Sequence, residues 1–281
     1  MLCSVASKTS AAGWERRMTR RRADTVLASR GFFDSREKAR AAIIAGEVTV
    51  DGDLVTKPGT LIDPDARIEV AEKKRYVSRG GHKIAGAFAE FGLSARGKHV
   101  LDVGASTGGF TDFLLKGGAA RVTAVDVGYG QLAWELRQDE RVAVFERTNI
   151  RHCDEESLGG PFDMAVVDVS FIGLSLVLPV VMPMVVEGGD VVALVKPQFE
   201  AGKRDVGKKG VVRDRATHER VLEEVAGAVR NAGWVVRGLT HSPIRGPQGN
   251  IEFWIWAARD GEETDVSCAE IVRRAHEELG A

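Results

Sequence analysis

The sequence contains few cysteines, and neither its cysteines nor its histidines have the spacing of a metal site. Three cysteines occur in 281 residues, and they are odd in number and far apart. This distribution argues against a disulfide framework and against a zinc site, and it indicates a reducing compartment. The six histidines also lack ligand spacing, so we predict no metal.

The amino-terminal residues lack an apolar stretch long enough for a cleaved signal peptide, which argues against secretion by that route. We interpret residues 1–18 as a disordered extension, with Met18 as an alternative start of the chain. The chain has 44% hydrophobic residues overall and is long enough for one large core and a small additional domain.

A membrane-spanning helix is not predicted, although residues 170–186 carry no charge. Gly173, Pro179 and Pro183 interrupt that stretch as a helix, and Asp168 lies just ahead of it. We therefore predict a buried parallel strand followed by a kinked helix. A membrane-lytic protein remains an alternative, which leakage from lipid vesicles would test.

Residues 19–72 have the pattern of a small domain with two helices followed by short strands. Ala23, Val26 and Leu27 have helical spacing, and Asp34 with Glu37 forms the pattern of a capping box that begins the second helix. Five arginines either precede the first helix or lie on one face of the second. Such a basic face suits an RNA phosphate backbone, although an ordinary solvated helix surface is the alternative. The arginines are Arg20, Arg21, Arg22, Arg36 and Arg40.

Several motifs in these residues resemble the S4 RNA-binding domain. They are Arg-Ala-Asp at 22–24, Leu-Ala-Ser-Arg-Gly at 27–31, Ser-Arg-Glu-Lys-Ala at 35–39, and Ile-x-x-Gly-x-Val-x-Val-Asp-Gly ending at Gly52. In that family the two helices and the following turn contact structured RNA, mainly through its shape and its phosphates. The resemblance implies a small α+β S4-like domain that binds RNA.

A charged, glycine-rich linker at residues 73–81 leads to residues 82–281, where short apolar strands alternate with helical segments. Strands are predicted at residues 100–103, 121–127, 142–145, 162–169, 190–195, 234–240 and 251–257. This order is typical of the α/β class with a doubly wound parallel sheet, and at least one of the last two strands should be antiparallel. A glycine-rich bend follows the first strand within Val-Leu-Asp-Val-Gly-Ala-Ser-Thr-Gly-Gly-Phe at 100–110, and glycines there allow a ligand to approach the backbone closely.

The bend departs from the glycine pattern of a dinucleotide site, because Ser106 occupies the second glycine position. Asp102 ends the strand before the bend, and an acid suits a ligand with a cationic amine better than one with pyrophosphate. Asp126 ends the next strand, where a carboxylate can accept hydrogen bonds from both hydroxyls of a ribose. S-adenosylmethionine meets these requirements, although another nucleotide-binding α/β domain remains an alternative.

Four further charged residues lie in motifs around the predicted sheet. They are Lys83 in Ser-Arg-Gly-Gly-His-Lys, Asp168 in Val-Asp-Val-Ser-Phe, Lys196 in Lys-Pro-Gln-Phe-Glu, and Glu252 in Gly-Asn-Ile-Glu-Phe. Asp168 and Lys196 end parallel strands, and open α/β sheets form their sites at that edge. The set resembles the Lys-Asp-Lys-Glu tetrad of FtsJ-like ribose 2′-O-methyltransferases. Together with the S4-like domain, it makes the chain resemble the TlyA family from about Thr19 onward.

The resemblance implies a Rossmann-like class I methyltransferase with a mixed seven-stranded sheet. Members of this family are cytoplasmic, use S-adenosylmethionine to methylate cytidine riboses of ribosomal RNA (16S, 23S or both), and are sometimes labelled haemolysins. By resemblance, the reaction is carried by Lys83, Asp168, Lys196 and Glu252. The residues implied around the cofactor are Asp102, Gly104, Ser106, Gly108, Gly109, Phe110, Asp126, Asn149 and Asp168.

The chemistry indicates why such a tetrad is useful. A ribose 2′-hydroxyl is a poor nucleophile, and an amine can take its proton only where desolvation or a nearby cation favours the neutral amine. Lys196 is the candidate base, and Lys83 would supply neighbouring positive charge. Glu252 would orient the lysines, and Asp168 would hold the methionine end of the cofactor.

Residues 197–216 form a long connection beside Lys196 that is rich in glycine and basic residues. We predict an RNA-contacting lid that uses Lys203, Lys208 and Lys209, with a solvated surface loop as the alternative. A non-catalytic RNA-binding factor for ribosome assembly is a further alternative, but such a protein would not need all four tetrad positions.

Overall fold

A computed structural model describes residues 20–70, 75–202, 204–207 and 209–280. The chain divides into two compact units, Met1–Arg75 and Tyr76–Ala281, so the predicted linker from Tyr76 onward belongs to the second unit. The predicted extension at residues 1–18 lies outside the described residues, as do Lys203 and Lys208 of the predicted lid.

The first unit contains two helices and short strands around a small apolar core. Leu27, Ile43 and Val48 are completely buried in that core. The elements are α1 (Ala23–Ser29), α2 (Arg36–Ile44), β1 (Arg21–Arg22), β2 (Val48–Val50), β3 (Asp53–Leu54), β4 (Leu61–Ile62) and β5 (Ile68–Val70). Strands β3, β2 and β5 form an antiparallel sheet, and β1 pairs with β4.

Helix α2 is capped by a different residue from the one predicted. Ser35 has extended backbone, and its side chain accepts a hydrogen bond from the Lys38 backbone N–H at 3.2 Å. Asp34 instead accepts a hydrogen bond from Lys38 Nζ at 2.6 Å. The prediction of Asp34 as the cap is therefore wrong, because the hydroxyl of Ser35 occupies the position from which the free amide of the first turn can be reached.

A mixed seven-stranded sheet forms the centre of the second unit, which confirms the predicted α/β class. Its strands are β6 (His99–Val103), β7 (Arg121–Val125), β8 (Val142–Phe145), β9 (Phe162–Val167), β10 (Val185–Val195), β11 (Val235–His241) and β12 (Phe253–Ala258). Their order across the sheet is β11, β12, β10, β9, β6, β7 and β8. Strands β10, β9, β6, β7 and β8 are parallel, whereas β12 is antiparallel to both of its neighbours.

Apolar cores lie on both faces of this sheet. Because neighbouring side chains of a strand point to opposite faces, Val100 belongs to one core and Leu101 to the other. The helices of this unit are α3 (Gly80–Phe91), α4 (Gly109–Lys116), α5 (Trp134–Arg137), α6 (Leu174–Val181), α7 (Pro197–Glu200), α8 (Arg215–Asn231) and α9 (Cys268–Leu279). The core with Val100 includes residues of α3 and α4, and the core with Leu101 includes residues of α6, α8 and α9.

The uncharged stretch at residues 170–186 contains α6, with Pro179 inside it, and a 3₁₀ turn at Met182–Met184. The preceding strand β9 is buried on both faces, since Met164 to Val167 have no exposed surface. This is the predicted buried strand followed by an interrupted helix. Within the ranges described above, no helix combines the length and the apolar composition needed to cross a membrane.

Candidate active site

Four charged side chains from distant parts of the chain meet at one edge of the seven-stranded sheet. Asp168 follows β9 and Lys196 follows β10, and because these strands are parallel neighbours their carboxyl ends lie together. The antiparallel pairing of β12 with the end of β10 brings Glu252 to the same edge. Lys83 reaches the site from the first turn of α3.

These four side chains form two ion pairs. Lys83 Nζ lies 2.5 Å from Glu252 Oε2, and Lys196 Nζ lies 2.5 Å from Asp168 Oδ1. Lys196 Nζ also donates a hydrogen bond to Ser170 Oγ at 2.9 Å. Glu252 is completely buried and both lysines are largely buried, so these charges interact where little water screens them. Such a concentration of buried charge is typical of functional sites.

All four side chains line one cavity of about 600 Å³, which we call the tetrad cavity. Phe171 and Phe199 also line it, with their ring centroids 4.9 Å apart. Phe171 is 90% exposed and has a positive φ of 64°. An exposed aromatic ring beside a polar cavity offers a stacking surface for a nucleobase. Sequence reasoning did not single out these rings, although each follows a tetrad residue by three positions.

A second cavity of about 500 Å³, the nucleoside cavity, lies at the glycine-rich bend. Its lining includes the predicted cofactor residues Gly104, Ser106, Asp126, Asn149 and Asp168. Among its described lining residues there is no lysine or arginine, so this cavity offers no cationic side chain to a phosphate group. That charge pattern fits the nucleoside part of S-adenosylmethionine, which carries no phosphate.

The tetrad cavity and the nucleoside cavity share a wall. Gly104, Ser106, Asp168, Ser170 and Phe171 line both of them. Two ligands that occupied these cavities would therefore approach each other across this wall. Direct transfer of a group between two molecules requires such proximity.

The glycine-rich bend can pass close to Asp168 because Gly104 has no side chain. Gly104 has a φ of +88°, and a Cβ at this position would overlap the backbone carbonyl oxygen of Asp168. Asp126 holds the other side of the bend, where it accepts hydrogen bonds from Ser106 N at 2.8 Å and from Gly128 N at 2.6 Å. Each carboxylate oxygen keeps a second acceptor position, which a ribose hydroxyl can use.

Asp102 and Gly108, two predicted cofactor residues, do not line these cavities. Asp102 is completely buried, and its Oδ2 accepts a hydrogen bond from Thr111 Oγ1 at 2.6 Å. Its Oδ1 has no hydrogen-bond partner among the described residues. Burial, with a smaller contribution from the charge of Asp168, raises the pKa of Asp102 to about 7. A Cβ at Gly108 would overlap Leu136, so packing accounts for this glycine, and cofactor contact by either residue stays a prediction.

Gly109 and Phe110 line a third cavity of about 330 Å³, which we call the arginine cavity because Arg79 and Arg245 also line it. Lys83 lies between this cavity and the tetrad cavity, since it lines both. The sequence motifs did not indicate Arg245. Only its hydrogen bonds in the fold, to backbone oxygens of Leu279 and Gly280, draw attention to it.

The predicted RNA-binding arginines of the first unit are all exposed. Two of them share a carboxylate, because Arg22 Nη2 and Arg36 Nε lie 2.8 Å and 3.1 Å from Asp24 Oδ2. Asp24 is buried, and its hydrogen bond from Arg22 lowers its pKa to about 2. This carboxylate holds two guanidinium groups side by side at the surface. In the second unit, Lys209 of the predicted lid is exposed.

Known proteins match both units. A family model described as FtsJ-like methyltransferase matches residues 76–259, and an S4 domain model matches residues 21–68. The 16S/23S rRNA (cytidine-2′-O)-methyltransferase TlyA of Mycobacterium tuberculosis is 47% identical over 84% of this chain and 89% of its own length. Hemolysin A of Brachyspira hyodysenteriae is 42% identical over 83% of this chain and 97% of its own length. The solved structure of a candidate hemolysin from Streptococcus thermophilus has a TM-score of 0.72 at 44% identity, covering 94% of this chain and 98% of that one.

The similarity extends over the first unit, which carries the predicted RNA-binding arginines, and over the second unit, which holds the tetrad. The four tetrad residues lie inside the region that the methyltransferase model matches. The chain therefore belongs to the FtsJ-like methyltransferases, and its S4 domain and its similarity to TlyA over most of its length place it in the TlyA family.

Proposed function

We propose that the protein transfers a methyl group from S-adenosylmethionine to a ribose 2′-hydroxyl of ribosomal RNA. The observation that carries this proposal is the wall shared by the nucleoside cavity and the tetrad cavity, where Asp168 lines both. Bound S-adenosylmethionine supplies an electrophilic methyl group. The tetrad supplies what the hydroxyl needs, which is a base and positive charge near its oxygen.

In this proposal the neutral amine of Lys196 accepts the proton of the 2′-hydroxyl, so the ammonium group that pairs with Asp168 first releases a proton to solvent. Lys196 lines the tetrad cavity, and its Nζ lies 2.5 Å from Asp168 Oδ1 and 2.9 Å from Ser170 Oγ. Asp168 and Ser170 line both cavities, so these two contacts hold the amine at the shared wall. A ribose hydroxyl in the tetrad cavity beside this wall would lie next to the amine. The proton of the 2′-hydroxyl passes to Nζ as the 2′-oxygen takes the methyl group, and the carbon–sulfur bond that held this methyl group breaks with its electron pair left on sulfur.

Lys83 supplies positive charge to the oxygen as its proton leaves. The buried carboxylate of Glu252 fixes the Lys83 amine through their 2.5 Å ion pair, so no reorganisation is needed when charge develops. Asp168 orients Lys196 and also lines the nucleoside cavity, which lets one carboxylate contact both the base and the methionine end of the cofactor. Phe171 and Phe199 offer the target base a stacking surface beside this charge.

The proposed substrate is cytidine in 16S ribosomal RNA, 23S ribosomal RNA or both, within ribosomal subunits in the cytoplasm. The name of the TlyA relative gives this activity for that protein. In this chain, the S4 domain carries the arginine pair held by Asp24, which suits phosphate contacts to structured RNA. The scarcity of cysteine also fits a reducing compartment.

The test is incubation of purified 30S and 50S subunits, isolated from cells that lack this enzyme, with labelled S-adenosylmethionine and the full chain. We expect label in the RNA of at least one subunit. Label confined to ribosomal protein, or no label in the RNA of either subunit, would contradict the proposed function.

A further inference from the structure

Arg245 lines the arginine cavity beside Lys83, yet its guanidinium group donates to backbone oxygens at the end of α9. Nη2 donates to the carbonyl oxygens of Leu279 at 2.6 Å and Gly280 at 2.7 Å, and Nε donates to that of Leu279 at 3.2 Å. Nη1 donates to the carbonyl oxygen of Gly249 at 3.3 Å. The last carbonyls of a helix lack partners within it and carry partial negative charge, so a guanidinium fork suits them well.

The segment that carries Arg245, residues 242–250, packs directly on Glu252. The backbone N–H of Ser242 donates to the Glu252 carbonyl oxygen at 2.8 Å, and that of Gly246 donates to the Asn250 carbonyl oxygen at 2.9 Å. A Cβ at Gly246 would overlap the Glu252 carboxylate, so the backbone itself forms the wall against this side chain. The position of this segment therefore sets the space available to the Glu252 carboxylate.

The same segment also contacts the beginning of α3. Arg79 Nη2 donates a hydrogen bond to the carbonyl oxygen of Arg245 at 2.8 Å. The carbonyl oxygen of Arg79 in turn accepts from the backbone N–H groups of His82 at 3.1 Å and Lys83 at 3.4 Å. The chain at Arg245 is thus bonded to the elements that carry both members of the Lys83–Glu252 pair.

Helix α9 provides a fixed support for these contacts. Glu278 Oε2 lies 3.1 Å from His241 Nε2 at the end of β11. Arg274 Nη2 donates to Glu90 Oε1 of α3 at 2.9 Å and to Thr240 Oγ1 at 2.7 Å. The apolar face of α9 is buried in the core that also contains residues of α8. A group bonded to the end of this helix is therefore held relative to the sheet.

We propose that Arg245 is a positioning residue that joins the end of α9 to the Lys83–Glu252 pair. Its donors bind backbone oxygens, and its effect on the reaction passes through the segment 242–250 to the carboxylate of Glu252. The inference rests on the proposed methyl transfer, because the consequence of losing this support is a slower transfer step. A displacement of the order of an ångström in a catalytic group is enough to slow a reaction greatly.

The test compares Arg245→Ala and Arg245→Lys with the unaltered chain. We expect Arg245→Ala to lower kcat about 10- to 100-fold, with KM for RNA and Kd for S-adenosylmethionine changed by no more than a factor of about 2. Arg245→Lys should lower kcat less, because a lysine keeps the charge but cannot form the fork. The matched control is Arg273→Ala on the exposed face of α9, where the arginine pairs with Glu270 and Glu277, and it should keep the unaltered kcat.

Amide hydrogen exchange provides a measurement that does not depend on activity. In Arg245→Ala, exchange should become faster at the amides of Ser242 and Gly246, whereas amides of the central strands keep their protection. Unchanged exchange in residues 242–250, an unchanged kcat, or a loss of protection throughout the second unit would overturn the positioning role. Absence of transfer by the unaltered chain would instead contradict the proposed function, and the exchange result would still decide whether Arg245 fixes the segment.

Discussion

Lys83 Nζ lies 2.5 Å from Glu252 Oε2, although 169 positions separate the two residues in the sequence. The pair lines the same cavity as a second pair formed by Lys196 and Asp168. The two lysines have different partners. Lys83 pairs with Glu252, which is completely buried, whereas Lys196 pairs with Asp168, which also lines the nucleoside cavity. This difference underlies the separate roles proposed for the two lysines.

Lys196→Ala should lower the rate of methyl transfer by at least about 100-fold, because it removes the proposed base. The Kd for S-adenosylmethionine should change by no more than a factor of about 3, since Lys196 lines the tetrad cavity and not the nucleoside cavity. Single-turnover transfer and cofactor titration measure the two quantities. Lys116→Ala, at a lysine that pairs with Asp112 at 2.8 Å at the end of α4, is the control and should remain active. Full activity of Lys196→Ala would exclude it as the base.

The sequence was enough to predict the carboxyl edge of the sheet as the site, because parallel strands place residues that follow them at one edge. Asp168 and Lys196 follow parallel strands, and their ion pair lies where that rule puts it. The inclusion of Lys83 and Glu252 came from the family resemblance. Their meeting depends on the antiparallel pairing of β12 with β10 and on the packing of α3, and neither is visible in local periodicity.

Other features could not be predicted, because they depend on contacts that leave no pattern in the chain. The strand Arg21–Arg22 is too short and too polar to show alternation, and it exists because it pairs with Leu61–Ile62. Arg245 bonds to backbone carbonyls, which every residue has. The hydrogen bond from Thr111 to the buried side chain of Asp102 depends on the packing of α4 against β6.

Gly104→Ala should weaken S-adenosylmethionine binding by at least about 10-fold and lower the free energy of unfolding by roughly 1–3 kcal/mol. The reason is that the new Cβ would overlap the carbonyl oxygen of Asp168 at a backbone φ of +88°. Gly227→Ala in α8 is the matched control, because a Cβ there meets open space and should be neutral or stabilising by up to about 1 kcal/mol. Cofactor titration and denaturant unfolding check both variants. Unaltered cofactor affinity in Gly104→Ala would contradict the proposed contact between the bend and the cofactor.

Asp102→Asn should change how stability depends on pH. Burial raises the pKa of Asp102 from 3.8 to about 7, so the folded chain keeps a proton that the unfolded chain releases within this range. The contribution of Asp102 to stability therefore falls as pH rises from about 4 to about 7. Asparagine does not titrate, so the variant should lack this decrease, which is on the order of a few kcal/mol. Urea unfolding of the cofactor-free chain across this range measures the effect, and identical pH dependence in both proteins would contradict it.

Arg36→Gln should weaken binding to ribosomal RNA and reduce the slope of log affinity against log salt by about 0.7–1, as expected for the loss of one phosphate contact. Arg36 is exposed and is held by Asp24, so its charge is fixed at the surface of the S4 domain. The matched control is Arg273→Gln, which makes the same substitution in the second unit and should leave the slope unaltered. The measurement is RNA affinity at several salt concentrations. Equal slopes for Arg36→Gln and the unaltered chain would remove Arg36 from the RNA interface.

In the proposed function, the tetrad directs methylation to a ribose 2′-oxygen. The most direct measurement is mass spectrometry of nucleosides from ribosomal RNA of subunits incubated with labelled S-adenosylmethionine and either the unaltered chain or Lys196→Ala. We expect labelled 2′-O-methylcytidine with the unaltered chain and a level at least about 100-fold lower with Lys196→Ala. Label on a base, or equal amounts of 2′-O-methylcytidine with both proteins, would contradict the claim.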